Sequence, residues 1–161
     1  MTASEIIELL GSEQLLREGG YFKETYRSTL STALEKGGSR SCGTAIYYLL
    51  TPETHSAIHR LRFDEMYHFY LGDTVEMLQL GPGREAKVHA LGKDLFRGER
   101  QQLLVPANTW QGSRLRRGGR FALMGTTMSP GFDFADYEAG DLVALSGEYP
   151  AFRSPIEELL R

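Results

Sequence analysis

The chain has 161 residues, 41% of them hydrophobic and 24% charged, and its formal net charge is −3. This length suits a single domain with its own core. The negative charge argues against a protein that neutralises nucleic-acid phosphates. The single cysteine, Cys42, excludes an internal disulfide, and without a secretory leader pattern it predicts a cytoplasmic protein. No apolar run reaches the roughly 20 residues of a membrane span.

The sequence predicts a short helix near each end of the chain. Thr2 and Glu5 match a capping box for a helix over about 3–10. Ser154 is the candidate N-cap of a second helix over about 154–160. Because helices this short are unstable alone in water, both must pack against the rest of the domain.

Between these helices, over about 20–130, the pattern is that of a β domain. Short segments rich in β-branched, aromatic and aliphatic residues alternate with turns rich in Gly, Pro and Asp. Such spacing without long helices favours a sandwich or a barrel, and 141–150 suits either a strand or a helical turn. The predicted strands are 21–29, 42–50, 56–62, 65–71, 75–80, 86–91, 101–106, 110–115 and 120–128.

One polar segment, HRLRFDEMYHFYLG (59–72), stands out in this β region. If 56–65 is extended, His59 and Glu65 share one face with two apolar residues, and the charged residues between them share the other. A carboxylate on an apolar face needs a hydrogen-bonding or charged partner, or it must be protonated. We therefore expect His59 and Glu65 to face the interior as neighbours.

The order His59, Leu61, Glu65 and Gly72 resembles the first cupin motif, in which His-x-His is followed by Glu and, after six residues, Gly. The spacing from Glu to Gly is matched, and Leu61 replaces the second His. A counterpart of the second cupin motif, Pro-x-Gly-x-x-His, follows about 30 residues later.

In this second stretch, PANTWQ, Pro106 is matched, Asn108 stands for the Gly and Gln111 stands for the His. Asn108 is a reasonable replacement because asparagine tolerates positive φ better than other non-glycine residues. The segments 18–28 and 64–73 resemble more narrowly an uncharacterised single-domain branch of the cupins. The resemblance implies an all-β cupin jelly-roll β-barrel that occupies 1–161 as one domain.

Metal-binding cupins hold their ion through both histidines and the glutamate of the first motif and the histidine of the second. This chain retains His59 and Glu65, and Gln111 is a poor ligand for a transition metal. We therefore predict no metal cofactor. A divalent transition metal on His59, Glu65 and Gln111 is the weaker alternative.

The resemblance also extends to metal-independent epimerases of the dTDP-4-dehydrorhamnose 3,5-epimerase type, whose catalytic histidine maps onto His59. It implies that His59 is a general base and Glu65 its catalytic partner. The leading hypothesis is an epimerase or isomerase for a carbohydrate or sugar nucleotide. The alternatives are a non-catalytic protein that binds a small ligand and a metal-dependent cupin enzyme with a degraded ligand set.

Further residues are predicted to line the barrel mouth. On strand 21–29, alternation places Lys23 and Arg27 on one face, where either residue suits an anionic substrate group. We expect the partners to be a small polar molecule and a second copy of the chain in a homodimer, without nucleic acid or membrane. The remaining candidate ligand-binding residues are Tyr47, His68, Trp110 and Gln111.

Overall fold

The computed structural model describes residues 1–35 and 37–160. It consists of two facing antiparallel sheets whose outer faces are covered by short helices. The elements are α1 (Ala3–Leu10), β1 (Glu13–Gln14), β2 (Tyr21–Arg27), β3 (Ser31–Ala33), β4 (Ser39–Ser41), β5 (Thr44–Leu50), β6 (His55–Leu61), β7 (Glu65–Gly72), β8 (Val75–Leu80), β9 (Ala86–Leu91), β10 (Gln102–Val105), β11 (Trp110–Leu115), β12 (Ala122–Met128), β13 (Tyr137–Ala139), α2 (Leu142–Glu148) and α3 (Arg153–Glu158).

The larger sheet has the strand order β1-β2-β5-β12-β7-β10, and the smaller has β13-β6-β11-β8-β9. Strands β3 and β4 form a separate hairpin. Consecutive strands such as β6 and β7 lie in opposite sheets, which is the arrangement of a jelly roll. The predicted fold, a jelly-roll β-barrel with short helices at both ends, is confirmed, although the two sheets do not close on each other.

All nine predicted strands are present, with ends within two residues of prediction, whereas the short β1, β3, β4 and β13 were not predicted. The Thr2 and Glu5 capping box of α1 is also confirmed, with both of its hydrogen bonds. Segment 141–150 contains α2. The prediction of Ser154 as an N-cap is wrong, because a 3-10 turn over 150–152 runs directly into α3, which begins at Arg153.

The hydrophobic core divides into an interior and two outer layers. Between the sheets, Tyr48, Tyr67 and Phe69 of the larger sheet meet Val75 and Met77 of the smaller. Helix α1 covers part of the larger sheet, and α2 and α3 cover the smaller. Both helical ends therefore owe their stability to the sheets, as expected of helices this short. In the described part of the chain no helix is long and apolar enough to cross a membrane.

A tight loop over 15–20 packs against β5 and β6. Its shape is fixed by three hydrogen bonds: Gly19 N donates to Leu15 O at 2.7 Å, Ala57 N to Glu18 O at 2.7 Å, and the Tyr48 hydroxyl to Gly19 O at 2.9 Å. Gly19 has φ of +99°. A Cβ there would overlap the carbonyl oxygen of His55, so the backbones approach as closely as only glycine permits.

Gly19→Ala tests how firmly this loop depends on close backbone approach. Gly11→Ala is the matched control, because Gly11 also has positive φ but open space around it. We expect the control to cost about 1–2 kcal/mol from the left-handed backbone. Gly19→Ala should cost about 1–3 kcal/mol more through overlap. Urea denaturation measures both, and equal losses would contradict the packing described for the loop.

Candidate active site

One end of the space between the sheets is not filled by the core and forms a cavity of about 310 Å³. Strand pairing brings its wall together: Met128 of β12 is aligned with Thr44 of β5 on one side and with Glu65 of β7 on the other. Apolar side chains form most of the wall, and the polar groups are set among them. The wall consists of Leu15, Glu18, Phe22, Glu24, Arg27, Thr44, Ile46, Tyr48, Leu61, Glu65, Tyr67, Thr126, Met128, Phe132, Asp133 and Phe134.

Glu65 is a buried carboxyl in this wall, 7% exposed. Its Oε2 accepts a hydrogen bond of 2.7 Å from Nε2 of Gln111, which belongs to the opposite sheet. Burial, and then the negative charge of Glu18, raise the pKa of Glu65, and this outweighs the opposing effects of His59, Gln111 and Thr126. Glu65 therefore keeps its proton to higher pH than an ordinary carboxyl.

His59 lies on β6 beside Gln111 of β11 and is only 1% exposed. Its Nδ1 is 2.8 Å from the carbonyl oxygen of Ala57, and because a carbonyl can only accept, Nδ1 carries a proton. The ring stacks on Tyr137 with centroids 5.1 Å apart. Its Nε2 has no hydrogen-bond partner among residues 1–35 and 37–160 and lies 3.8 Å from Oε2 of Glu18. The imidazole is thus held rigidly with Nε2 toward Glu18.

Glu18 is the site residue that sequence reasoning missed. It lines the cavity, whereas His59 lies outside the lining, and its Oε1 accepts a 2.9 Å hydrogen bond from the Ser56 hydroxyl. The available signal was the Glu18-Gly19-Gly20 sequence, because adjacent glycines are typical of a tight loop. Gly19 and Gly20 both have positive φ and fix the shape of the loop that presents Glu18.

Two tyrosines, Tyr48 and Tyr67, line the cavity. Burial raises the pKa of both hydroxyls well above the usual value, so both remain protonated donors. Tyr47 points to the opposite face of β5, where it meets Tyr70 edge to face at 5.9 Å and packs in the layer beneath α1. This placement corrects the expectation that Tyr47 lines the barrel mouth.

The expected faces of β2 are changed by a β-bulge. Thr25 has no partner on β5, so the register shifts between Glu24 and Tyr26. As a result Arg27 joins Glu24 on the cavity side, while Lys23 is exposed on the outer face. The placement of Lys23 in the barrel mouth therefore needs correction. Simple alternation over 21–29 had put Lys23 and Arg27 on the same face.

Two other predicted ligand-binding residues also lie outside the cavity. Trp110 packs on the outer layer beneath the C-terminal helices, with the Arg60 guanidinium 4.5 Å from its ring centre. His68 alternates with the inward-facing Tyr67 and Phe69, and its Nε2 is 2.9 Å from the Thr127 hydroxyl. Both positions correct the sequence-based expectation.

His59 and Glu65 face the interior, but not because they share one face of a single strand, as the sequence predicted. The chain does not run extended from 56 to 65: β6 ends at Leu61, and β7 begins at Glu65 after a turn. The two residues lie in opposite sheets and meet because both sheets face the interior. The turn is held by Asn108, whose N donates to Leu61 O at 2.8 Å and whose φ of +61° agrees with the prediction of positive φ.

The donor set does not fit a transition-metal site. Leu61 and Gln111 stand where the cupin motifs supply imidazoles, and the amide nitrogen of Gln111 is turned toward Glu65. Within the described ranges, no three His, Cys, Asp or Glu side chains are grouped as a metal would require. A carboxyl that retains its proton is also a weaker ligand than a carboxylate. We therefore derive no step through a metal.

Comparison with known proteins agrees with this architecture. Residues 4–140 match the model of the family described as Cupin superfamily (DUF985). The chain belongs to this cupin family. The uncharacterized protein YML079W of Saccharomyces cerevisiae is 33% identical in an alignment of 149 residues that covers 83% of this chain and 74% of the yeast protein.

Two solved structures are similar over nearly the whole chain. Protein SO0799 of Shewanella oneidensis is 35% identical, with a TM-score of 0.90 over 100% of this chain and 98% of that one. A hypothetical protein from Leishmania major is 30% identical, with a TM-score of 0.91 over 99% and 98%.

More distant cupins share the fold alone. A dTDP sugar isomerase from Desulfovibrio desulfuricans is 12% identical, with a TM-score of 0.53 over 74% of this chain and 83% of that one. Oxalate decarboxylase from Bacillus subtilis is 11% identical, with a TM-score of 0.55 over 92% of this chain and 37% of that one.

Glu65→Gln tests the protonation of the buried carboxyl. Because folding raises the pKa of Glu65 above the ordinary value of 4.5, the folded state binds more protons than the unfolded state above that pH. The free energy of unfolding of the wild type should therefore fall relative to that of the variant as pH rises above about 4.5. Gln keeps an oxygen that can accept from Gln111.

Urea denaturation of both proteins between pH 4.5 and 8 measures this difference. Glu53→Gln, on an exposed turn, is the control and should run parallel to the wild type. A constant gap between the wild type and Glu65→Gln across this range would contradict a raised pKa.

Proposed function

We propose that this protein is a metal-independent isomerase or epimerase that moves a proton next to the carbonyl group of a carbohydrate. The observation that carries the proposal is the pair of carboxyl groups, Glu18 and Glu65, on one cavity wall, where the charge of one raises the pKa of the other. When the surroundings of two carboxyl groups give them different pKa values, one group can act as the base and the other as the acid of the same reaction.

Glu18 takes the role of base in this proposal. It faces the cavity, and its Oε1 is oriented by Ser56 while its Oε2 lies near Nε2 of His59. The sequence predicted that His59 itself removes the proton. Because His59 is buried behind Glu18, we assign direct abstraction to Glu18 and give His59 the part of a positioning residue that stabilises the carboxylate charge.

Glu65 takes the role of acid. In the forward step Glu18 removes the proton from the carbon next to the carbonyl, and the electron pair moves to form the enol. The protonated Glu65 donates to the carbonyl oxygen, and Gln111 then stabilises the resulting carboxylate through its amide. For the isomer, Glu18 gives its proton to the former carbonyl carbon while the Glu65 carboxylate takes the proton of the neighbouring enediol hydroxyl. For the epimer, a solvent proton adds to the opposite face of the original carbon, Glu65 takes back the enol proton, and Glu18 releases its proton to solvent.

The rest of the wall suits this chemistry. The Tyr67 hydroxyl remains protonated and can donate to a substrate oxygen, whereas the proton of Tyr48 is already donated to Gly19 O. Leu61, Ile46 and Met128 exclude water from the carboxyl groups, which strengthens each hydrogen bond to them.

Exchange of solvent deuterium into ketoses tests the proposed chemistry, because reversible abstraction labels the carbon that loses its proton. Mass spectrometry of the sugars follows the label. Glu18→Gln and Glu65→Gln should each slow exchange by about 10²–10⁴-fold, the usual contribution of a general acid or base. His89→Gln, on β9 away from the cavity, is the control and should exchange at the wild-type rate.

A separate variant tests the positioning role of His59. His59→Asn keeps a donor for the Ala57 carbonyl, and because His59 lies outside the cavity lining it should lower kcat for exchange while KM for the sugar stays close to the wild-type value. A binding sugar that never exchanges in the wild type would refute the proposed reaction.

A second candidate is a non-catalytic protein that binds a small ligand, which the largely apolar wall also favours. It predicts a ligand that raises the unfolding temperature equally in the wild type and in Glu65→Gln, without labelling. The homodimer and the cytoplasmic location stay predictions. Light scattering of the purified chain measures the first.

A further inference from the structure

Most of the charged side chains that line the cavity are acidic. Four carboxyl side chains and one guanidinium line it, and the aromatic rings of Phe132 and Phe134 stand at the same wall. The charged groups are Glu18, Glu24, Glu65, Asp133 and Arg27. Even with Glu65 protonated, carboxylates outnumber the single cation, so the wall has an excess of negative charge.

Arg27 is already engaged with the protein and does not offset this excess. Its Nε and Nη2 donate to the two oxygens of Glu24 at 3.0 and 2.6 Å, and its Nη1 donates to the carbonyl oxygen of Phe132 at 3.1 Å. A paired fork of this kind satisfies both the charge and the geometry of a guanidinium. Lys23, the other candidate for an anionic group, lies on the outer face of β2.

The remaining features suit sugar hydroxyls and ring faces. Carboxylates accept hydrogen bonds from hydroxyl groups, and Phe132 and Phe134 meet edge to face at 4.9 Å, with Phe134 46% exposed. Arg17 stacks on Phe134 at 5.2 Å but does not line the cavity. The cavity volume of about 310 Å³ is at the lower limit of ligand pockets, roughly 300–1,000 Å³, so one sugar ring fits it better than a sugar nucleotide.

From these observations we infer that the substrate is a free sugar, bearing no phosphate or nucleotide. The inference rests on the proposed function and narrows its substrate class. A phosphate placed in this cavity would meet Glu18 and Asp133, while the one guanidinium among the described lining residues is already paired with Glu24, and like charges at close range oppose binding. Sequence alone had left sugars and sugar nucleotides equally open.

Thermal-shift and calorimetric titration of matched ligands test this inference. The probes are fructose, tagatose, psicose and sorbose, with fructose 6-phosphate, tagatose 6-phosphate and dTDP-glucose as anionic counterparts. At least one free ketose should bind, and its phosphate should bind at least tenfold more weakly. A phosphate or nucleotide that binds as tightly as the free ketoses, or no binding by any of them, would overturn the inference.

A substitution in the cavity wall tests whether the negative charge of the wall causes the preference for a free sugar. Glu24→Gln removes one carboxylate and releases Arg27, so it should reduce the discrimination against the phosphate by about tenfold. Glu85→Gln, on an exposed turn away from the cavity, should leave the discrimination unchanged. If Glu24→Gln discriminates against the sugar phosphate as strongly as the wild type does, the preference does not arise from the charge of Glu24. That result would overturn the argument from charge.

Deuterium exchange with the same sugars separates this inference from the proposed reaction. A free ketose that binds selectively but acquires no label refutes the reaction and leaves the substrate class standing. A sugar phosphate that binds more tightly and acquires label refutes the substrate class and leaves the reaction standing.

Discussion

The hydrogen bond from Gln111 to Glu65 joins the two sheets beside the cavity. A buried carboxyl has a high free-energy cost unless it is bonded or protonated; here it is bonded, and burial raises its pKa. The same bond fixes the orientation of Glu65 in the cavity wall. Because Gln111 pairs with His59 on the neighbouring strand, the bond also sets the position of Glu65 relative to His59. The orientation of Glu65 and this contact between the sheets therefore depend on one pair of side chains.

The two ends of the barrel interior differ in composition: one end is filled by apolar side chains, and the other contains the cavity and its polar groups. Toward one end, leucine, valine and methionine side chains from both sheets fill the interior. Toward the other, the same strands present Thr44, Glu65 and Thr126, and the space between them stays open. One half of each strand thus stabilises the fold by packing in the core, and the other half lines the cavity. Leu61 and Gln111 stand at two motif positions where metal-binding cupins carry histidines, so this wall lacks two imidazole ligands.

Most of the fold could be predicted from the sequence because strand and turn signals are local. The candidate site could be predicted only where the cupin spacing fixed it, at His59, Glu65 and Gln111. Glu18 could not be predicted, since its place in the wall depends on contacts with Ser56, 38 residues later. The faces of Lys23 and Arg27 were misassigned because a bulge at Thr25 adds one residue that alternation cannot reveal. Tyr47 was chosen over Tyr48 because neither sequence nor motif sets the phase of β5.

The loop over 15–20 has a consequence for how such a protein changes during evolution. The acid of the proposed pair is part of the sheets, whereas the base arrives on a separate loop that is attached to β5 and β6 by hydrogen bonds from Tyr48, Ser56 and Ala57. Changes in this loop can alter or abolish the base while the barrel continues to fold and to enclose a cavity. Within one architecture, enzymes and simple binding proteins are then separated by a few residues outside the sheets.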